Sequence, residues 1–235
     1  MMTGRTEQIL EAAIQEFIAA GEPVSSGLLY RKYEFGIKPA MIRLELDALE
    51  DQGYLEQPHH SAGRVPTDAG YEFFAAKLLE SAARSARERA RASAARAASL
   101  RELLEERAWS DLMDGLSAEL GLLSVIADNA REEVYKAGLE ALVDRLDWQD
   151  REGIRSVIRD FEEVDARVPA AAPNIGGGSH VYIGRKSPIT RSEELSVVGG
   201  NYDAGDGVMV SIFAIGPKRM DYEKVIRTLK ELNNL

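Results

Sequence analysis

The chain has 235 residues, 45% hydrophobic and 29% charged, with a net charge of −10. These proportions fit a globular protein of one large or two small domains. No run of about 18 apolar residues occurs, so no transmembrane helix is expected. The N-terminal MMTGRTEQILEAAI lacks the apolar centre of a signal peptide. Cysteine is absent, which excludes disulfides and thiol catalysis and fits a cytoplasmic location.

Apolar residues at helical spacing (Ile9, Leu10, Ala13, Ile14, Phe17, Ile18) predict a first helix over residues 4–20. Gly21 stops it and Pro23 blocks its resumption. A second helix starts near Ser25, a good N-cap, with Leu28, Leu29 and Tyr33 inward. Phe35-Gly36-Ile37 forms the turn. Pro39 suits the first position of a third helix, since its missing N–H has no helical partner there. That helix buries Ile42, Leu46 and Leu49 and ends at Gly53. Tyr54–Pro58 and Arg64–Pro66 are short strands around a hairpin tip, and Thr67 caps the next helix.

A helical pattern then runs from 68 to about 107, rich in alanine and arginine, and would span roughly 60 Å. Residues 108–168 read as further helix with apolar stripes opposite acids. Residues 169–180, with two prolines and a triple glycine, read as a loop. The period changes in VYIG, LSVVGGNY and GVMVSIFAIG, which predict strands, and a helix closes the chain over 221–234.

Two helices joined by a turn, then a strand hairpin, is the order of a winged helix-turn-helix, which places its second helix in the DNA major groove. The expected architecture is α+β. It comprises a winged helix-turn-helix at 1–75, a connector helix at 76–107, a helical segment at 108–168, the loop at 169–180 and a C-terminal α/β part with antiparallel strands at 181–235. The candidate DNA contacts are Lys38, Ala40, Met41, Arg43, Leu44 and Asp47 on or before the third helix. Ser25 and Ser26 join them at the mouth of the second, and His59, His60 and Arg64 in the wing. Arg43 carries a donor fork that matches guanine O6 and N7. Arg64 and the histidines could follow phosphates or enter the minor groove.

Residues 1–80 hold seven Lys/Arg against thirteen Asp/Glu. The contacts therefore depend on local clustering of Arg31, Lys32, Lys38, Arg43 and Arg64. Weak non-specific binding and strong salt sensitivity follow. The triple glycine lacks the Gly-Lys-Ser/Thr of a phosphate loop and reads as a linker. No catalytic set is recognisable, so neither enzyme activity nor a cofactor or metal is expected.

GEPVSS, PAMIRLELDALEDQGYLEQPH and SAGRVPTDAGY in the front part resemble the HrcA family of heat-inducible transcription repressors. So do VYIG, SVVGGNY and IGPKRMDYEKVI at the far end. The resemblance implies a cytoplasmic repressor of chaperone genes that binds an inverted-repeat operator as a homodimer, with a GAF-like C-terminal domain. It also implies that the GroEL chaperonin keeps the repressor active until heat diverts it. The chain departs from the family in being shorter between the Ala/Arg helix and VYIG, so a reduced GAF-like domain is expected. Lys38, Met41 and Leu44 stand where the family usually has Ser, Thr and Asn, and Gly27 where an arginine is common. Asn reads adenine, whereas Leu makes only apolar contact, for example with a thymine methyl. Two other readings are a winged-helix regulator sensing a small molecule and an adaptor whose winged helix binds protein.

Overall fold

The computed structural model describes residues 2, 4–59, 62–89, 94–145 and 151–233. It is a mixed α/β structure with an antiparallel sheet, and its contacts divide into two compact units, Met1–Ala76 and Lys77–Leu235.

The first unit begins with α1 (Gly4–Ala20), α2 (Ser26–Lys32) and α3 (Pro39–Asp51). Ile9, Leu10, Ala13 and Ile14 of α1 are buried, as are Leu29 of α2 and Ile42, Leu46 and Leu49 of α3. Burying several such side chains at roughly 1.5–3 kcal/mol each holds the three short helices together. Gly21 ends α1 at φ +72° and Gly53 follows α3 at φ +78°, where a side chain would be strained. Ser25 caps α2 by accepting from the Leu28 N–H at 3.2 Å. Thr6 donates to Glu45 at 2.8 Å and ties α1 to α3.

Strands β1 (Leu55–Glu56) and β2 (Val65–Pro66) pair antiparallel, with Leu55 opposite Pro66. Val24 and Arg64 exchange both backbone hydrogen bonds at 2.8 Å and add a third rung ahead of α2. Gly63 is required there, because a Cβ would overlap the Val24 carbonyl. Thr67 accepts from the Gly70 N–H and donates to the Gly53 carbonyl at 2.6 Å, joining the hairpin's exit to the end of α3. Helix α4 (Asp68–Arg89) leads out of this unit.

The second unit contains α5 (Ala94–Glu105), α6 (Trp109–Leu120), β3 (Leu123–Asp128), β4 (Glu133–Ala137), α7 (Leu139–Val143) and α8 (Arg151–Ala171). It continues with β5 (His180–Ile183), β6 (Leu195–Asp203), β7 (Met209–Pro217) and α9 (Tyr222–Asn233). The five strands form one antiparallel sheet in the order β4-β3-β7-β6-β5. Leu123, Val125, Val197, Phe213 and Ile215 point to one face and bury Leu142 of α7 with Val157, Val164 and Val168 of α8. On the other face α6 packs on β3 and β4, and α9 on β6, where the Tyr222 hydroxyl donates to Ser196 at 2.8 Å. Asp221 caps α9 by accepting from the Lys224 N–H at 2.9 Å.

Two buried carboxylates fix loops around this sheet. Asp160 of α8 accepts from the Arg191 and Ser192 N–H groups and from Arg167, whose guanidinium also reaches the Ile189 carbonyl. Asp128 accepts from the Trp109 indole at 3.2 Å and from the Ala130 and Arg131 N–H groups, closing the β3–β4 turn. Charge-assisted bonds of this kind repay the burial of each carboxylate.

The expected helical segment at 108–168 is corrected: β3 and β4 lie inside it. All six residues of β3 are buried, covered by helices on both faces, so its sequence lacks the alternation of a half-buried strand. The expected loop at 169–180 is also corrected. Helix α8 runs through Pro169 to Ala171, and a 3-10 turn follows at Ala172–Asn174. The triple glycine is no loose linker. Gly176 and Gly178 exchange backbone hydrogen bonds with Asn201, and a Cβ on Gly200 would overlap the Gly178 carbonyl. The pattern predicted over 68–107 is occupied by α4 and α5, with residues 90–93 outside the described residues. Among the described residues no helix is long and apolar enough to cross a membrane.

Candidate nucleic-acid interface

Helix α3 starts without a side-chain cap. Lys38 sits at the N-cap position making no capping bond, and Pro39 occupies the first turn. The buried stripe of Ile42, Leu46 and Leu49 fixes which face turns outward. At 100° per residue, Ala40 and Leu44 point nearly opposite that stripe, with Met41 on one flank and Arg43 and Asp47 on the other. Lys38, Ala40, Met41, Arg43 and Leu44 are all exposed, Leu44 by 59% and Met41 by 46%. Arg43 has no ion pair among the described residues.

The other predicted contacts divide. Ser25 is exposed with its hydroxyl engaged as the α2 cap, and Ser26 is half-buried in the first turn. His59 is exposed at the hairpin tip, which the His59 carbonyl and Gln57 side chain close onto Ala62. His60 lies outside the described residues.

Arg64 does not point outward. Its side chain is only 11% exposed and its guanidinium reaches Asp47 at 2.5 Å and Glu50 at 2.9 Å. Asp47 is therefore the acceptor of an internal ion pair, and neither residue is a free contact. Because Asp47 and Glu50 share one side of α3, the pair bolts the base of the hairpin to that helix. The spacing of Asp47 and Glu50 by three was the available signal; what it lacked was the partner, seventeen residues from Asp47.

Lys32 is likewise engaged. Glu16 accepts from it at 2.5 Å and from the Tyr33 hydroxyl at 3.0 Å. The Lys32 hydrogen bond holds the Glu16 carboxyl below its usual range despite burial. Burial, aided by the Glu16 bond, pushes the Tyr33 hydroxyl up. Of the five clustered cations, Arg31, Lys38 and Arg43 thus remain without an ion pair among the described residues. Arg31 lies over Gly27, whose added Cβ would stand 3.6 Å from its guanidinium. On α3, Glu45 is held by Thr6 and by Arg5 at 3.7 Å, and the nearly two turns from Lys38 to Leu44 carry only positive charge.

The fold and this surface define an α/β protein whose small helical unit presents one uncapped, cationic helix face to solvent. A profile described as HrcA protein C terminal domain matches residues 72–226, and the chain belongs to the HrcA family. It is 53% identical over 87 residues to the heat-inducible transcription repressor HrcA of Roseiflexus castenholzii, covering 37% of this chain and 24% of that protein. It is 43% identical over 110 residues to the one from Bifidobacterium animalis subsp. lactis, covering 46% and 30%. With the Symbiobacterium thermophilum repressor it shares 24% identity across 99% of this chain and 97% of the relative. That alignment runs over 330 positions, so the relative carries sequence that this chain lacks. The chain thus spans about a quarter of the length of the first relatives it matches. A solved structure described as a hypothetical protein superposes with a TM-score of 0.77 at 18% identity, covering 100% of this chain and 97% of that one, and shares the fold.

Proposed function

We propose that the chain is a DNA-binding repressor of heat-shock chaperone genes, acting as a homodimer on an inverted-repeat operator in the cytoplasm. The observation that carries this is the start of α3, which keeps Lys38 and Arg43 free while Glu45, Asp47 and Glu50 further along the helix are taken by internal partners. The name of the relatives, heat-inducible transcription repressor, supplies the biological setting.

The first unit is read as a winged helix-turn-helix. Helices α2 and α3 are the motif, and the β1–β2 hairpin with the Val24–Arg64 rung is the wing. Lys38, Ala40, Met41, Arg43 and Leu44 face the major groove. Ser25, Ser26 and His59 approach phosphates, and Asp47 and Arg64 hold wing and helix in register. The second unit is read as GAF-like on its five-stranded antiparallel sheet with helices on both faces. This unit pairs the subunits, because a two-fold operator requires a two-fold dimer. Dependence on the GroEL chaperonin is proposed from the resemblance.

The test is a mobility-shift titration of the full chain on the chaperone-gene promoters of its own genome, with Arg43→Ala alongside. A sequence-specific shift weakened by Arg43→Ala is expected. Absence of any specific shift at moderate salt would sink the proposal.

A further inference from the structure

We infer that Leu44, flanked by Met41, reads the 5-methyl group of thymine at a fixed step of each half-site. This inference rests on the DNA-binding reading above and adds a base preference to it.

The two side chains are among the most exposed large apolar residues of the chain, and the buried stripe of α3 holds them outward. Leu44 can neither donate nor accept a hydrogen bond, and Met41 offers only a weak thioether acceptor, so neither matches the donor and acceptor pattern of a base edge. The thymine methyl is the apolar feature on the major-groove side of a base pair. The charge around the pair fits that occupant. Lys38 lies at the N-cap, nearly two turns before Leu44, and Arg43 beside Leu44, both exposed. Glu45 and Asp47, the nearest acids, are turned to Thr6 and Arg5 and to Arg64. A helix face with cations at its rim and hydrocarbon at its centre matches a groove with phosphates at its rim and a methyl on its floor. A protein partner with an apolar pocket is the competing occupant, and the absence of acids among Lys38–Leu44 disfavours it for a basic partner.

The test uses the full chain and duplexes that it selects itself from a randomised library. Each thymine of the selected half-site is then replaced by deoxyuridine, which keeps the hydrogen-bonding edge and removes only the methyl. Burying one methyl group corresponds to about a fourfold change in affinity, or ~15-fold when both half-sites are changed. The wild type is expected to lose this at one step, and Leu44→Ala to be indifferent there while unfolding at the wild-type temperature. Leu44→Asn is expected to move the preference at that step from thymine to adenine. If deoxyuridine is neutral at every step, the inference fails and the DNA-binding reading stands. If Leu44→Ala remains as sensitive to the methyl as the wild type, another residue reads it and the inference again fails. If no sequence is enriched, both fail together.

Discussion

Arg64 separates two accounts of the hairpin. The Arg64→Ala substitution removes a guanidinium that is 11% exposed and leaves Asp47 and Glu50 unpaired, with side chains 43% and 35% exposed. A hydrogen bond to a charged group contributes about 1.5–3 kcal/mol when buried. The two carboxylates are partly solvated, so screening lowers each bond toward the surface value of ~1 kcal/mol. The expected loss is about 2 kcal/mol, which lowers the midpoint of a unit of this size by roughly 8–16 °C. The assay is thermal unfolding of the full chain followed by far-ultraviolet circular dichroism, paired with DNA titration at several salt concentrations. Arg64→Lys keeps the charge without the fork and is expected to recover part of the stability. The internal ion pair is refuted if Arg64→Ala unfolds at the wild-type temperature while the salt dependence of DNA binding drops by about one phosphate contact. That outcome would place Arg64 on the DNA.

With Arg31, Lys38 and Arg43 free on each protomer, a dimer brings about six cations to the DNA, so log affinity should fall with log salt at a slope near −5; a slope near −9 would mean that Lys32 and Arg64 leave their partners. Glu16 has a lowered pKa, so its contribution to stability is complete above its ordinary 4.5 and is lost as pH falls through the folded value; Glu16→Gln should flatten the acid limb of a stability-versus-pH curve. Tyr33 has a raised pKa, so its contribution holds below 10.0 and is lost as pH rises through the folded value, and Tyr33→Phe should flatten the alkaline limb. Asp160→Asn should destabilise the second unit by about 3 kcal/mol in urea, since it unpairs Arg167 and weakens the cradle around the Arg191 and Ser192 N–H groups.

Helices α1 and α3 were legible because each has a buried stripe of period 3.6 and a glycine or proline at an end, and α2 from its Ser25 cap. Gly21, Pro39 and Gly53 stand where a helix must stop or start. Strands β6 and β7 were legible from β-branched runs between glycines. Strand β3 was hidden because both its faces are covered, leaving a continuous apolar run that also suits a buried helix. At the site, the outward positions of Ala40, Met41, Arg43 and Leu44 followed from the stripe. The inward turn of Arg64 and the capture of Lys32 by Glu16 did not, because side-chain pairing across elements depends on packing that spacing alone does not encode. The net charge was misleading for the same reason. It counts Glu45 and Asp47 as repelling phosphate, whereas both are held by partners within the unit.

The central claim is that the face of α3 reads a specific DNA sequence. Its most direct test is fluorescence anisotropy of the full chain on a labelled inverted-repeat duplex from a chaperone-gene promoter, competed with a scrambled duplex at near-physiological salt. The inverted repeat is expected to bind at least ~10³-fold more tightly, with that ratio collapsing in a variant carrying Arg43→Ala and Leu44→Ala. Equal affinity for the two duplexes, or a ratio unchanged by the double substitution, would contradict it.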